Sequence, residues 1–295
     1  MDETLMTTPV TQEHPNRLLL EGLENRWKKY RLELKRCRAE FSNEAVHDLR
    51  VATRRMVAFT QLLNTISPRP RLKKIKSVFK DQLDEFDDLR DTQVILAEIS
   101  ELLQELPQLH DFQKHLQLSE ERLLRRLHKK IKNMETAEVT KRIRKTHESI
   151  EAEMIDDLAP HLLQAVDDAF LRVKQRYDAV DVARPATIHR ERITFKSFRY
   201  MVEIIQPLIP NFPPENFKRM NDYQSLMGEI QDAEVFTQTL ADFLEHASLL
   251  DLEPVRRYEE QRRADAISAY TLHKDQLDTF WRPAPDQPFP WEKTA

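Results

Sequence analysis

Apolar and polar side chains along this chain recur with the period of a helix. In residues 44–63, Leu49, Met56 and Leu63 are spaced by seven and fall on one side of a helix, whereas basic residues fall on another side. Prolines or short polar pairs interrupt the pattern near residues 42–43, 67–70, 107, 160, 185, 207–214 and 254. The pattern predicts about eight or nine helices, with one long helix or two over the proline-free residues 111–155.

The composition favours helices over strands. Gly22 and Gly228 are the only glycines in the sequence, too few for the tight turns of hairpin-rich sheets. Charged residues make up 33% of the chain and hydrophobic residues 40%, a balance typical of amphipathic helices with solvated outer faces. The predicted fold class is therefore all-α, and 295 residues can form one large domain or two compact halves.

The two ends of the chain differ from its middle. Residues 1–13 are polar and residues 283–295 are proline-rich, so both are predicted to be disordered or loosely docked tails. The N-terminus has neither a basic nor an apolar signal region, and no apolar stretch approaches the roughly 18 residues that suggest a membrane span. A single cysteine, Cys37, allows no intramolecular disulfide. These features predict a soluble cytoplasmic protein that does not bind a membrane.

Part of the sequence occurs twice. Residues 44–63 align without gaps with residues 186–205, a displacement of 142. The alignment pairs three basic positions, namely His47 with His189, Arg50 with Arg192, and Arg54 with Lys196. A second alignment, displaced by 141, sets residues 86–99 against 227–240 and pairs Asp91 with Asp232.

A third correspondence follows the same displacement. Arg31 and Lys35 fall on Arg172 and Arg176, and each pair is spaced i, i+4 on one helix face. Three consecutive segments therefore repeat in the same order, which indicates an internal duplication with halves at 14–152 and 158–282.

The repeated residues form basic stripes on the predicted helices. At 100° per residue, His47, Arg50 and Arg54 lie within about 60° of one another. The second copy has a corresponding stripe made of His189, Arg192, Lys196 and Tyr200, with Arg199 at its edge. Both stripes are predicted to point away from the apolar sides of their helices, so charge-reversing substitutions there are expected to change thermal stability little.

Two interpretations of these stripes are open. Ordinary solvated helix faces intersperse charges of both signs, whereas adjacent like charges cost a few tenths of a kcal/mol per pair, roughly. A bound polyanion would offset that repulsion, and because the formal net charge is −4, the attraction has to come from segregated faces. Neither histidine belongs to an HxxxH or HExxH pair, so no metal or other cofactor is predicted.

The two segments that contain the basic stripes resemble the two signature segments of the CHAD family, whose name records histidines on an α-helical domain. VHDLRVATRR at 46–55 and IHRERITFKSFRY at 188–200 carry the resemblance, and FDDLRDTQVIL and LMGEIQDAEVF resemble the segments that follow them. The resemblance covers about 14–282. It departs from the family pattern at Glu191, where a leucine is usual. A CYTH-type triphosphatase partner would need an ExExK motif, which this sequence lacks.

The resemblance implies two pseudo-symmetric antiparallel four-helix bundles, a basic central surface or pore, and binding of inorganic polyphosphate by a protein that is not an enzyme. It implies association with polyphosphate granules and possible contacts with granule proteins. The predicted binding residues are Arg31, Lys35, His47, Arg50, Arg54, Arg55, Arg172, Arg176, His189, Arg192, Lys196, Arg199 and Tyr200.

Other functions compete with this one. A phosphatase or polyphosphate hydrolase would use His47 or His189 with Asp91 or Asp232, although the two aspartates could equally orient basic side chains or lie at helix contacts. A protein-interaction scaffold would recruit partners through the tails. Nucleic acid is disfavoured because the stripes offer few aromatic residues for base stacking.

Overall fold

The computed structural model describes residues 15–153, 158–245 and 252–292. Helices, including short 3-10 turns, hold 85% of these residues, and no strand occurs among them. The predicted all-α class is confirmed. In chain order the α-helices are α1 Pro15–Glu40, α2 Asn43–Ile66, α3 Pro70–Asp84, α4 Asp87–Leu102, α5 His110–Lys132, α6 Ala137–Ala152, α7 Leu158–Asp178, α8 Pro185–Ile205, α9 Asn216–Leu244 and α10 Glu253–His273.

Local sequence explains where several helices begin and end. The Ser42 side chain accepts a hydrogen bond from the Ala45 backbone N–H and caps α2. Pro70 and Pro185 occupy the first turns of α3 and α8, where the missing N–H leaves no bond unmade. The proline-free residues 111–155 contain two helices in their described part, because α5 ends before Asn133 and α6 begins at Ala137.

The second half repeats the order of the first with one difference. The span of α3 and α4, displaced by 141, corresponds to the single helix α9, whereas the first half breaks between α3 and α4 at Glu85 and Phe86. Phe86 is 1% exposed and fills the break with a buried ring. The division into two separate four-helix bundles stays a prediction.

The apolar core joins both halves. Its larger cluster contains side chains from α1, α2 and α3 together with side chains from α7, α8 and α9. A smaller cluster lies where the C-terminal ends of α4 and α9 meet the N-terminal ends of α5 and α10. In this cluster the ring of Phe112 packs edge to face on Phe236 at 5.9 Å. Because both clusters take residues from each half, the halves are fixed against each other by burial of apolar surface. Across the described ranges, no helix is both long enough and apolar enough to cross a lipid bilayer.

The C-terminal segment corrects one expectation. Residues 283–295 were expected to be a disordered or loosely docked tail, but within the described part Phe289 is 4% exposed and stacks at 4.8 Å on Trp291. Its ring also meets Trp281, a fully buried residue of the main core. The prolines suggested disorder, yet the aromatic rings between them bury enough apolar surface to order the segment. Residues 1–13 lie outside the described residues.

A buried carboxylate anchors this segment. Asp167 of α7 accepts hydrogen bonds from the Trp281 indole N–H at 2.7 Å and from Arg282 Nε and Nη2 at 2.9 and 2.6 Å. Asp167 and Arg282 side chains are 7% and 14% exposed, so the pair is largely shielded from water.

Removing this anchor is expected to destabilise the protein. Asp167→Ala leaves a guanidinium and an indole N–H without an acceptor, which should lower the free energy of unfolding by about 3 kcal/mol in urea titrations. Asp168→Ala is the matched control, because in the described part of the chain Asp168 accepts only from Gln164 on the same helix; the substitution should cost less than about 0.5 kcal/mol. Equal losses in the two variants would contradict the anchor.

Candidate functional site

Helices α2 and α8 pack against each other, and this contact brings the two basic stripes together. The ammonium group of Lys196 on α8 has arginines of both helices as its charged neighbours. We call this group the central basic cluster; it consists of Arg50, Arg54, Arg192, Lys196 and Arg199. The sequence predicted each stripe from helical periodicity, and the structure places the two stripes in one site.

Lys196 lies in the middle of the cluster. Burial, followed by repulsion from Arg54 and Arg192, lowers the pKa of Lys196 from 10.5 to about 7. Phe195 and Phe198, both fully buried, hold this part of α8 against the core and fix the position of the lysine between them. A nearby anion favours the charged form of such a lysine, so an anion bound beside Lys196 would raise its pKa from about 7.

Arg54 faces Lys196 from α2. Burial is the main cause that lowers the pKa of the Arg54 guanidinium, and a hydrogen bond with the Tyr200 side chain acts in the opposite direction. Tyr200 is 8% exposed, and the Arg199 guanidinium lies 4.9 Å from the centre of its ring. Arg199 Nη1 also donates to the Asn221 side chain at 3.3 Å. Tyr200 therefore positions one arginine from each helix.

Arg50 corrects a second expectation. The sequence placed it on a solvated face, but its side chain is only 9% exposed. Arg50 Nη1 donates to the Leu83 carbonyl at 3.3 Å, and Nη2 donates to Asp87 Oδ1 at 3.0 Å. The end of α3 and the start of α4 thus enclose the guanidinium. Arg50→Glu would bury a carboxylate beside Asp87 and the Leu83 carbonyl oxygen, so its effect on stability is expected to be large.

The histidines take different positions in the two halves. His189 is half-buried, and burial followed by Arg192 lowers its pKa, while a hydrogen bond with Gln231 acts against them. Its Nδ1 atom makes no hydrogen bond in the described protein. His47 is exposed and lines a shallow depression beside Arg50 and Arg90. The second half therefore holds its histidine closer to the cluster's protected interior.

The other predicted residues lie outside the central basic cluster. Arg55 Nη2 pairs with Glu203 of α8 at 2.9 Å, so it links the halves as a structural contact. Arg31 stacks on Trp27 at 5.9 Å. Lys35, Arg172 and Arg176 are exposed, and none of them forms a hydrogen bond or ion pair with the cluster in the described chain. The i, i+4 spacing correctly indicates that the two residues of each outer pair share a helix face. It does not indicate how far that face lies from the central basic cluster.

Asp91 and Asp232 lie near each other where α4 and α9 meet. Burial, and then the charges of Asp87 and Asp232, raise the pKa of Asp91. Neither His47 nor His189 is hydrogen-bonded to Asp91 or Asp232 among the described residues. Within the described ranges, no three His, Cys, Asp or Glu side chains group as a metal site would require.

Two residues of the site escaped the sequence analysis. Asp87 pairs with Arg50, and Gly228 lies against the Arg192 guanidinium, where an added Cβ would be 3.6 Å from Nε. The alignment displaced by 141 already sets Asp87 against Gly228. The alignment therefore contains the difference between the two halves. Its relevance follows only from the structure, in which each of these residues faces the arginine of its own half.

Comparisons with known proteins identify the fold independently. The family model described as CHAD domain matches residues 21–271. Among solved structures, the crystal structure of the CHAD domain from the plant Ricinus communis superposes with a TM-score of 0.63 at 17% sequence identity. That match covers 90% of this chain and 89% of the plant chain, so it extends over the whole architecture. No curated protein matches the sequence.

The burial of Lys196 predicts a pH-dependent effect on stability. The unfolded chain holds the Lys196 proton up to about pH 10.5, whereas the folded protein releases it near pH 7. Between these values the unfolded state binds more protons, so the stability of the native protein rises with pH. Lys196→Met should therefore be more stable than the native protein at pH 6, by on the order of 3 kcal/mol, and this margin should shrink towards pH 10.

Urea unfolding at pH 6, 8 and 10 measures the margin. Lys35→Met provides the control, because Lys35 is exposed on α1 and folding removes little water from it. A margin for Lys196→Met that does not change with pH would show that Lys196 is hydrated in the folded protein.

Proposed function

The chain belongs to the CHAD family, and on that premise we propose that it binds inorganic polyphosphate in the central basic cluster. Both halves contribute to the site, as the resemblance implied. The protein acts by binding and not by catalysis, and needs no metal or other cofactor. Association with polyphosphate granules in the cytoplasm is part of the same proposal.

One observation carries the proposal: four converging cations have no carboxylate partner. Arg54, Arg192, Lys196 and Arg199 form no ion pair within 4.0 Å among the described residues. Arg36 shows the opposite arrangement, because it pairs with carboxylates on both α1 and α2. An ordinary solvated face would intersperse charges in the same way. Unpaired cations gathered from two helices fit a polyanion better.

The orientation of the donors supports the same ligand. The Nε groups of Arg54, Arg192 and Arg199 are buried and donate no hydrogen bond within the described protein. Phosphate oxygens accept such bonds in charge-assisted form, each contributing about 1.5–3 kcal/mol. A polymer with a phosphate at every step can satisfy several of these donors at once. Repetition of charge in the protein then matches repetition of charge in the ligand.

The alternatives have weaker support. A hydrolase would need an acid–base pair, and the histidines do not contact Asp91 or Asp232. Nucleic acid binding would use stacked aromatic residues, and the one aromatic ring in the cluster, that of Tyr200, is buried beneath Arg199. A scaffold acting through the C-terminal segment would have to release Phe289 from the core.

Neutralising single cations should weaken polyphosphate binding. Arg192→Gln and Arg54→Gln each remove one unpaired guanidinium, so each should raise the dissociation constant roughly 10- to 100-fold, measured by calorimetric titration with polyphosphate. Arg144→Gln is the matched control, because Arg144 is exposed on α6 and, among the described residues, pairs only with Glu148. It should bind like the native protein.

The salt dependence gives a second measure of the same contacts. The logarithm of the affinity should fall linearly with the logarithm of salt concentration, and the slope should be shallower in Arg192→Gln. Release of orthophosphate during the titration would favour the hydrolase. Equal binding by the native protein and both cluster variants would contradict the proposed site.

Binding should also take up a proton at Lys196. The free lysine has a pKa of about 7, and bound phosphate raises it, so affinity should fall as pH rises from about 7 to 9. The dependence should approach at most roughly tenfold per pH unit, and it should be absent in Lys196→Gln. The charged groups that act on Lys196 from α2 and α8 are Arg50, Arg54, His189, Arg192 and Arg199, and Asp87 of α4 acts on Arg54.

None of these neighbours confuses the measurement. The arginines stay charged throughout the window, and His189 titrates below its ordinary pKa of 6.5. Protonation of the polyphosphate ends changes both proteins equally, so the difference between native protein and Lys196→Gln isolates the lysine. A difference that stays constant from pH 7 to 9 would contradict proton uptake.

A further inference from the structure

The central basic cluster contains one pair of corresponding arginines, Arg50 and Arg192, and different residues face these two arginines. Arg50 and Arg192 correspond under the displacement of 142, and Asp87 and Gly228 correspond under the displacement of 141. Asp87 pairs with Arg50, whereas Gly228 lies against Arg192. Arg50 therefore has a carboxylate beside it, whereas Arg192 has a glycine at the corresponding place.

We infer that polyphosphate binds asymmetrically, with Arg192 over Gly228 as its main subsite, and that Asp87 acts as an internal counter-ion that weakens the site from the side of Arg50. This inference rests on the proposed function. It names Gly228 and Asp87 as the residues that set the strength of binding.

In the first half the arginine is already satisfied. Asp87 Oδ1 accepts from Arg50 Nη2 at 3.0 Å, and the Leu83 carbonyl accepts from Nη1 at 3.3 Å. A phosphate that approached Arg50 would meet the Asp87 carboxylate, whose side chain is 56% exposed. The same carboxylate is among the charges that act on Arg54. Asp87 thus opposes an anion at two members of the cluster.

In the second half the arginine is free of carboxylates. Arg192 forms no ion pair among the described residues, and its Nε atom is buried without a hydrogen-bond partner. The guanidinium lies against Gly228, with Nε and Nη2 each 3.6 Å from the position of an added Cβ. Any side chain with a carboxylate at this position would reach Arg192 and neutralise it.

Gly228 is not required by the backbone. No glycine of the described chain has a positive φ, and Gly228 lies in the interior of α9, where glycine costs about 1 kcal/mol relative to alanine. An alanine Cβ would make ordinary contacts at 3.6 Å, so steric exclusion does not account for glycine either. Glycine at this position leaves the face of Arg192 that packs on α9 without a counter-ion.

Asp87 has a competing structural explanation. It is the first residue of α4, and an acidic residue in the first turn stabilises the helix dipole. α9 has no helix start at Gly228, so helix stability alone would explain the difference. This explanation predicts a change in stability for Asp87→Asn with no change in binding. Asp88, the next residue in the same first turn, provides the control, because its one ion pair within the described ranges is with Arg126 at 3.5 Å.

Calorimetric titration with polyphosphate tests the inference in the full-length protein. Gly228→Asp should weaken binding roughly tenfold or more beyond Gly228→Ala, because only the aspartate adds a counter-ion for Arg192. Asp87→Asn should tighten binding by roughly three- to tenfold, whereas Asp88→Asn should change it by less than about twofold. In an Arg192→Gln background, Gly228→Asp and Gly228→Ala should bind alike.

The outcomes separate the inference from the proposed function. A native protein that does not bind polyphosphate would overturn the function itself. Native binding with no effect of Asp87→Asn, or with Gly228→Asp equal to Gly228→Ala, would overturn the asymmetry alone. If Gly228→Asp fails to fold by circular dichroism, the comparison of Asp87→Asn with Asp88→Asn still decides the matter.

Discussion

The packing of α2 against α8 is the contact on which the rest of the molecule depends. This packing brings like charges from both halves together in a largely buried site. Burial and repulsion between these charges lower the pKa of Lys196. Apolar burial behind the charges offsets this cost, since Phe59 of α2 and Phe198 of α8 are fully buried. The ion pair between Arg55 and Glu203 fastens the same contact. The core therefore holds the repulsive cluster together, and the cluster itself contributes no stability.

Such a cluster differs from the paired arrangement at Arg36, where carboxylates of α1 and α2 surround the guanidinium. A protein gathers unpaired, desolvated cations at a loss of stability, and that loss persists where function requires it. The central basic cluster is the part of the described chain where local electrostatics and local stability disagree most. That disagreement, more than the number of basic residues, separates a binding site from a solvated face.

The sequence predicted the all-α class, the helix breaks near prolines and the composition of both stripes, because each follows from local periodicity and proline positions, but it missed the break between α3 and α4. It failed where the decisive partner is distant in the chain. Arg50 was predicted to be solvated, but the Leu83 carbonyl and Asp87 enclose it where α3 gives way to α4. The proline-rich C-terminal segment was predicted to be loose, but Phe289 packs on Trp281, whose indole N–H donates to Asp167, 114 residues earlier in the chain. Helical spacing fixes which residues share a face; it does not specify what covers that face.

The net charge of the chain does not describe the field at this site. The formal charge is −4, yet at physiological ionic strength charges farther apart than about 8 Å are largely screened on the surface. The potential in the central basic cluster is set by groups only a few ångströms apart. Asp87 is one of them, 3.0 Å from Arg50, and its counterpart in the other half is a glycine. Arg50 and Arg192 stand at aligned positions, but Gly228 is aligned with Asp87, so Arg192 has no ion pair among the described residues of a chain that is acidic as a whole. One carboxylate beside the cluster therefore weighs more in binding an anion than the summed charge of the remote surface.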